Sequence, residues 1–226
     1  MTEAGADSFW ETAEAVERFT GKQPDVRLLD LLQGYSEPGA VRVLDVGCAA
    51  GRNTLILAER GFDVFAIDSS IPMVGRTRER VALVLGPEEA ERRVTRGRME
   101  DLRRFEDASV HVLVALGVLH QATSETQWNG AIGEMSRCVA PGGVLLVAAW
   151  SPRSRPHGES IRRVPGGRHL YEGFHTGTHY LVEAPELDSS LAAAGFTPAV
   201  PTEEVRVETE NGWRVTINAL YRRVQS

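Results

Sequence analysis

The sequence predicts an α/β fold: a sheet of about seven strands, mostly parallel, with helices on both faces and an antiparallel C-terminal hairpin. Three observations carry this expectation. Between residues 41 and 150, apolar runs that read as strands alternate with helical runs through short links. Val110 to Leu116 is almost continuously apolar, as a strand covered on both faces must be. Near the end, Glu210-Asn211-Gly212 separates two alternating runs, a strong hairpin signal.

The elements follow in order. Residues 8–34 read as two helices, with Phe9, Ala13, Val16 and Phe19 at helical spacing and Pro24 ahead of Leu28, Leu29, Leu31 and Leu32. Glu37-Pro38-Gly39 links to a strand over 41–46. A helix is expected over 52–60, a strand over 63–67, and a helix over 71–85 with Pro72 in its first turn. Gly86-Pro87 breaks that helix, and Val94 to Arg98 reads as a polar strand. After the strand at 110–116 come a helix over 125–139, a Pro141-Gly142-Gly143 stop and a buried strand over 144–150. Residues 151–178, rich in Gly, Pro, Arg and His, are too long for an idle connection. A short helix over 186–194 is closed by Gly195, and strands at 205–207 and 213–221 form the hairpin.

The chain of 226 residues suits one domain: a helical cap at 1–38, a core at 39–150, an insertion at 151–183, and a final helix and hairpin at 184–226. A net charge of -6 argues against nucleic acid or an anionic membrane as partner. Met1 to Asp7 is short and acidic, unlike a signal peptide, and no apolar run nears the ~18 residues of a membrane span. Cys48 and Cys138 sit in unrelated contexts and form no disulfide or metal pattern, so a reducing cytoplasm is the expected home. Lys22 is the only lysine among 25 basic residues, which reflects a GC-rich genome rather than chemistry.

Chemistry concentrates in one stretch. Val43-Leu44-Asp45-Val46-Gly47-Cys48-Ala49-Ala50-Gly51-Arg52-Asn53 is an apolar strand ending at an acid and a glycine, with a second glycine opening a helix. One helix later, Phe62 to Ile67 ends in the lone Asp68. This is a strand, a nucleotide-cradling turn, a helix, and a strand that delivers a carboxylate to a ribose. An adenosine cofactor is therefore expected. The turn lacks the G-x-G-x-x-G spacing that brings backbone against a pyrophosphate, which places a nicotinamide dinucleotide far behind. Asp68 could instead cap the next helix, a task Ser69 or Ser70 could share.

These residues resemble the class I S-adenosylmethionine-dependent methyltransferases, a Rossmann-like family whose first strand ends in an acid followed by G-x-G-x-G. Gly97-Arg98-Met99-Glu100-Asp101-Leu102 resembles the segment after strand three that holds the adenine. Leu113 to His120 resembles the strand-four motif whose end lines the methyl-transfer site. Val139-Ala140-Pro141-Gly142-Gly143-Val144-Leu145 resembles the L-x-P-G-G turn before strand five. The terminal hairpin is also similar to the family's antiparallel last strand, and the polar third strand suits the edge position that the family gives it. Two departures stand out: Ala49 replaces the middle glycine, and His111 stands where the family usually has Phe-Asp.

The resemblance implies S-adenosyl-L-methionine as cofactor and S-adenosyl-L-homocysteine as product. It implies cofactor contacts from Asp45, Gly47, Cys48, Ala49, Gly51, Asn53, Asp68, Ser69, Met73, Met99, Glu100, Asp101, Leu116 and Gly117. His120, just past a central strand, is either the general base or a histidine that packs beside the cofactor. The insertion reads as a substrate lid, with Tyr171, Phe174, His175, His179 and Tyr180 as wall candidates and Trp10 contributed by the first helix. Arg162, Arg163 and Arg168 would either greet an anion or solvate the loop. His175 and His179 are four apart, but Gly177 lies between them and no cysteine accompanies them, so no metal is expected.

The implied activity is methyl transfer by in-line displacement to a small-molecule acceptor through O, N or S, in a monomer or homodimer. The alternatives are a protein that modifies the cofactor itself and a cofactor-binding regulatory module without transfer.

Overall fold

The computed structural model describes residues 9–174 and 176–225. The Met1 to Asp7 stretch lies outside them. The cap comprises α1 (Ala13–Thr20), whose N-cap Thr12 accepts a hydrogen bond from Ala15 N–H, and α2 (Val26–Leu32), capped by Asp25. The core then runs β1 (Arg42–Val46), α3 (Arg52–Glu59), β2 (Asp63–Asp68), α4 (Ile71–Leu85), α5 (Pro87–Arg93), β3 (Val94–Arg96), β4 (Val110–Leu116), α6 (Glu125–Cys138) and β5 (Val139–Trp150). The remainder is β6 (Arg162–Arg163), β7 (Leu170–Phe174), β8 (Gly177–Tyr180), α7 (Ala184–Ala193), β9 (Phe196–Pro198), β10 (Glu203–Thr209) and β11 (Gly212–Arg223).

The main sheet has the order β10-β11-β5-β4-β1-β2-β3, with β9 paired to β11. The pairs among β1, β2, β3, β4 and β5 are parallel, whereas β11 is antiparallel to β5, β9 and β10. The edge position expected for the polar third strand and the antiparallel final hairpin are both present. Strand order reverses between β1 and β4, which leaves a crevice at their carboxyl ends.

Alternation along β4 shows how the sheet is sandwiched. Leu113 and Ala115 join one apolar cluster with α6 and α7, while Val112 and Val114 join the other with α2, α3 and α4. All four are fully buried, so a charge at any of them would lose its hydration on either face. A third, small cluster of Ala15, Val16, Ala50 and Met73, with Phe9, Trp10 and Phe19 against it, seats the cap on the core.

Three regions differ from the sequence reading. Gly86-Pro87 does end α4, but Pro87 also starts α5, with Glu88 and Glu89 in its first turn and Arg92 and Arg93 in its last. Proline at a first helical position starts a helix as readily as it stops one, and these charges suit the helix dipole. Pro141-Gly142-Gly143 is a bulge within β5 rather than a turn before it; the β4 register jumps between Val110 with Val139 and Val112 with Val144. Finally, the insertion builds its own antiparallel sheet, β6-β7-β8, from residues with little periodicity.

Candidate active site

A cleft opens at the crevice between β1 and β4, roofed by the cap. Its lining includes Gly47, Cys48, Ala49, Asn53, Asp68, Ser69, Met99, Glu100, Leu116, Gly117 and Trp10, all anticipated from sequence. The turn after β1 is fixed by hydrogen bonds to the next strand: Gly47 N–H and Cys48 N–H donate to the Ile67 carbonyl at 2.8 and 3.0 Å. Gly47 has φ of +75°, and a Cβ on it would sit 2.8 Å from two atoms of Val118. Two loops thus meet without a side chain between them, and only glycine permits this.

Asp68 organises the same turn. Its Oδ2 accepts Ala49 N–H at 2.8 Å and its Oδ1 accepts Ser70 N–H at 2.9 Å. Burial pushes its carboxyl above the ordinary range, and the Ser70 and Ala49 N–H groups oppose that push. Ser70, not Asp68, caps α4: its hydroxyl accepts Met73 N–H and donates to the Trp10 carbonyl at 2.9 Å, clipping the cap to the core. Ala49 stands in the left-handed region with φ of 47°, held by Asp68 through its N–H and by the Thr77 hydroxyl through its carbonyl. These two bonds hold a conformation that alanine disfavours by roughly 1–2 kcal/mol.

Across the cleft, Glu100 Oε1 accepts from Arg98 Nε at 2.7 Å and Gln127 Nε2 at 3.1 Å, while its Oε2 is buried without a partner. An orphaned carboxylate oxygen in a cleft is ready for a donor on a ligand.

Four expected cofactor residues do not line the cleft. Asp45 lies beneath the turn at 2% exposure and accepts the Thr54 hydroxyl at 2.7 Å. Gly51 (φ +78°) packs on Thr77, where a Cβ would approach within 2.8 Å. Met73 is core beneath the cap. Asp101 is exposed and paired with Arg103, which pulls its carboxyl down to about 2. The first three support the turn from below, a role that the same motif position encodes equally well.

Asp45 has a measurable signature. Burial pushes its carboxyl up to about 6, against the opposing effects of the Thr54 hydroxyl and Arg52. A carboxyl with a higher pKa folded than unfolded (about 3.9) contributes stability that is complete below the unfolded value and lost as pH rises through the folded one. The cofactor-free protein should therefore lose roughly 2–3 kcal/mol from this group between about pH 4 and 7. Urea unfolding of wild type and Asp45→Asn, which keeps an acceptor for Thr54, checks this. Parallel stability curves for the two would refute it.

His120 is buried at 1% exposure, outside the cleft lining but between Val118 and Gln121, which do line it. Its ring stacks on Trp150 at 4.1 Å, and both ring nitrogens are buried without a partner. Burial, then the neighbouring His179 and Arg214, hold its pKa well below the usual value, so it is neutral at pH 7. His179 fixes this segment: its Nδ1–H donates to the His120 carbonyl at 3.1 Å, and its Nε2 accepts the Thr176 hydroxyl at 2.7 Å. Burial brings His179 down to about 4.

The expected lid walls are placed differently from the sequence reading. Tyr180 is core, stacked on Trp128 at 4.8 Å, and His179 is a buried strut. Phe174 stacks on Trp150 at 4.7 Å, and the Tyr171 hydroxyl accepts from Arg163 at 3.2 Å; neither lines the cleft. β8 carries His179 and Tyr180 inward and β7 carries Tyr171 and Phe174, both as strands of a sheet, whereas the sequence reading treated the segment as a loop. His175 lies outside the described residues. Among the described residues no group of three or more His, Cys, Asp or Glu could hold a metal, and no helix is long and apolar enough to cross a membrane. Sequence reasoning missed Phe19, Arg52, Val118, Gln121, Thr123 and Gln127 in the lining. Arg52 adjoins the glycine turn and offered a signal; Gln127 offered none, because only the packing of α6 brings it to Glu100.

An open parallel sheet with a glycine turn and an acid at its switch point defines an α/β nucleotide-binding protein. Residues 43–143 match the family model described as "Methyltransferase domain". Residues 43–143 are thus similar to a methyltransferase domain, and structures of the same fold are solved with S-adenosylmethionine or S-adenosylhomocysteine bound. No curated protein matches the sequence.

Solved structures share the fold. The 1,6-didemethyltoxoflavin-N1-methyltransferase of Burkholderia thailandensis, solved with S-adenosylhomocysteine, is 20% identical with a TM-score of 0.63, covering 94% of this chain and 80% of that one. The magnesium protoporphyrin IX methyltransferase of Synechocystis PCC 6803 is 16% identical with a TM-score of 0.64, covering 96% and 97%. The cyclase SpnF is 19% identical with a TM-score of 0.67, covering 98% and 96%.

Proposed function

We propose that this protein methylates a small-molecule acceptor at oxygen, nitrogen or sulfur. The observation that carries this reading is the cleft itself. Gly47 presses on Val118 at one side, Asp68 is locked by two backbone N–H groups, and Glu100 Oε2 is orphaned opposite. These residues fit an adenosine: Asp68 would take the ribose hydroxyls, Glu100 and Met99 the adenine side, and the 47–51 turn the amino-acid end. The bound cofactor supplies a methyl group on an electrophilic sulfonium. The protein's task is then to hold an acceptor atom in line, about 3–3.5 Å from the methyl carbon, and to keep water out. The small-molecule acceptors named for the Burkholderia and Synechocystis enzymes support an acceptor of that kind.

His120, just behind the lining residues Val118 and Gln121, is the candidate for taking a proton from the acceptor. It is neutral, and its two nitrogens are uncommitted. His120→Ala should lower turnover by about a hundredfold while S-adenosylhomocysteine affinity stays within about threefold. An equal loss in both would make it a packing residue.

The cyclase among the structural neighbours keeps a second reading in play, a fold used without methyl transfer. Calorimetry with S-adenosylmethionine and S-adenosylhomocysteine, followed by a radiolabelled methyl screen against pooled metabolites, separates the two. Tight binding with labelled product supports the proposal. Tight binding with none from any pool favours the second reading, and NADH binding in their place overturns both.

A further inference from the structure

Beyond the cofactor cleft, the cap and the last strand bring together positive charges that the site described above does not use. Arg214, Thr216 and Asn218 alternate along β11 and so share one face of the sheet. Thr216 and Asn218 lie opposite Trp150 and Ala148 of β5. Arg214 Nε, Thr216 Oγ1 and Asn218 Oδ1 are all buried without a hydrogen-bond partner. The Arg214 guanidinium stands 5.2 Å over the Trp150 ring, whose other contacts include the stacked His120. Five buried polar atoms without partners, counting both His120 nitrogens, therefore converge on one region. Left unfilled, each costs of order 1–3 kcal/mol.

The cap and the helix after the glycine turn add further cations. Lys22 Nζ lies 4.1 Å over the ring of Phe19, which lines the cleft, and Arg52 lines it too. Burial brings Lys22 down to about 8, and Arg52, Arg18 and Arg214 push it the same way. Arg214 is also lowered, by burial and then by Arg18. Lys22 thus lies within electrostatic reach of Arg18, Arg52 and Arg214, and Arg214 within reach of Arg18. Asp25 and Asp45 both feel the charge of Arg52, but Asp25 is paired with Arg27 at 2.6 Å and Asp45 lies beneath the turn with Thr54. Among the described residues, no carboxylate forms an ion pair with Arg18, Lys22, Arg52 or Arg214.

The cofactor does not balance this charge. At neutral pH S-adenosylmethionine carries one carboxylate against an ammonium and a sulfonium, so it satisfies one cation and adds net positive charge. Arg214, half-buried with its Nε unpaired, thus has Lys22 and Arg18 near it at the exposed rim and no ion-pair partner, an arrangement that favours a ligand of opposite sign.

Resting on the methyltransferase reading, we infer that the methyl acceptor bears an anionic group, a carboxylate or a phosphate, received by Arg214 and Lys22 with Arg18 beside them. Thr216 and Asn218 would complete its hydrogen bonds, and the nucleophile would then lie toward His120 and the cleft.

The test is calorimetry on the S-adenosylhomocysteine-saturated protein, titrated with benzoate, with its uncharged counterpart benzamide and with inorganic phosphate. One or both anions should bind, and benzamide at least about tenfold more weakly than benzoate if the carboxylate is the ligand. Phosphate binding alone identifies the phosphate source. Arg214→Gln should weaken the bound anion at least about fivefold, Arg214→Lys should restore most of it, and S-adenosylhomocysteine affinity should hold within about twofold in both. Failure of both anions to bind at tens of millimolar overturns the inference, as do equal affinities for benzoate and benzamide with no phosphate binding. A loss of S-adenosylhomocysteine affinity in Arg214→Gln also overturns it, because the cations then serve the cofactor's carboxylate. Absence of S-adenosylhomocysteine binding in the wild type removes the cofactor reading itself, and this inference with it.

Discussion

Asp68→Ala is expected to weaken S-adenosylhomocysteine binding by more than about tenfold, because a charge-assisted contact contributes roughly 1.5–3 kcal/mol. Two losses combine in this variant. The carboxylate that would meet the ribose hydroxyls disappears, and the N–H groups of Ala49 and Ser70 lose their acceptor. The second loss falls on Ala49, whose left-handed backbone depends on that bond. The two are separable by changing the ligand. In competition against S-adenosylhomocysteine, wild type should prefer adenosine to 2′,3′-dideoxyadenosine, and Asp68→Ala should discriminate little between them. Equal discrimination in both proteins would remove Asp68 from the ribose and leave it as a turn support.

Gly47→Ala should be as severe, for a different reason. The added methyl requires a left-handed alanine and places a carbon 2.8 Å from the Cβ and Cγ2 of Val118. Strain of about 1–3 kcal/mol from the backbone and a similar amount from overpacking are expected, together with more than about tenfold loss of cofactor affinity as the two loops part. Urea denaturation and calorimetry measure the two effects. Adding Val118→Ala should relieve the steric part while leaving the backbone part, so the double variant recovers only partially. Full recovery would mean that the φ of Gly47 carries no cost, and no loss in the single variant would mean that the loops are not held in contact.

The Asp68 effect was legible in the sequence, because it depends on contacts within one βαβ unit; the position of Gly47 was legible too, but its contact with Val118 came only from folding. Gly47 and Asp68 are set by a strand, a turn and a strand, whose geometry follows from apolar runs and a glycine. His120 was legible in position but not in environment. Its burial depends on Trp150 stacking from β5 and on His179 arriving from β8, and no local pattern links those three. For the same reason Tyr180 and His179 read as lid residues and proved to be packing, since the insertion's sheet pairs strands with little periodicity of their own.

Sequence alone determined the mostly parallel sheet, the glycine turn, the acid that follows it and hence the cofactor class. Each rests on neighbours within one βαβ unit, where chain connectivity leaves few alternatives. Only the tertiary structure decided which of the motif's residues face the cleft and which support it from below, as Asp45, Gly51 and Met73 do. It also gathered Arg18, Lys22, Arg52 and Arg214 from opposite ends of the chain. Charge in a cleft is a sum over residues brought together by folding, and spacing along the chain holds no record of that sum.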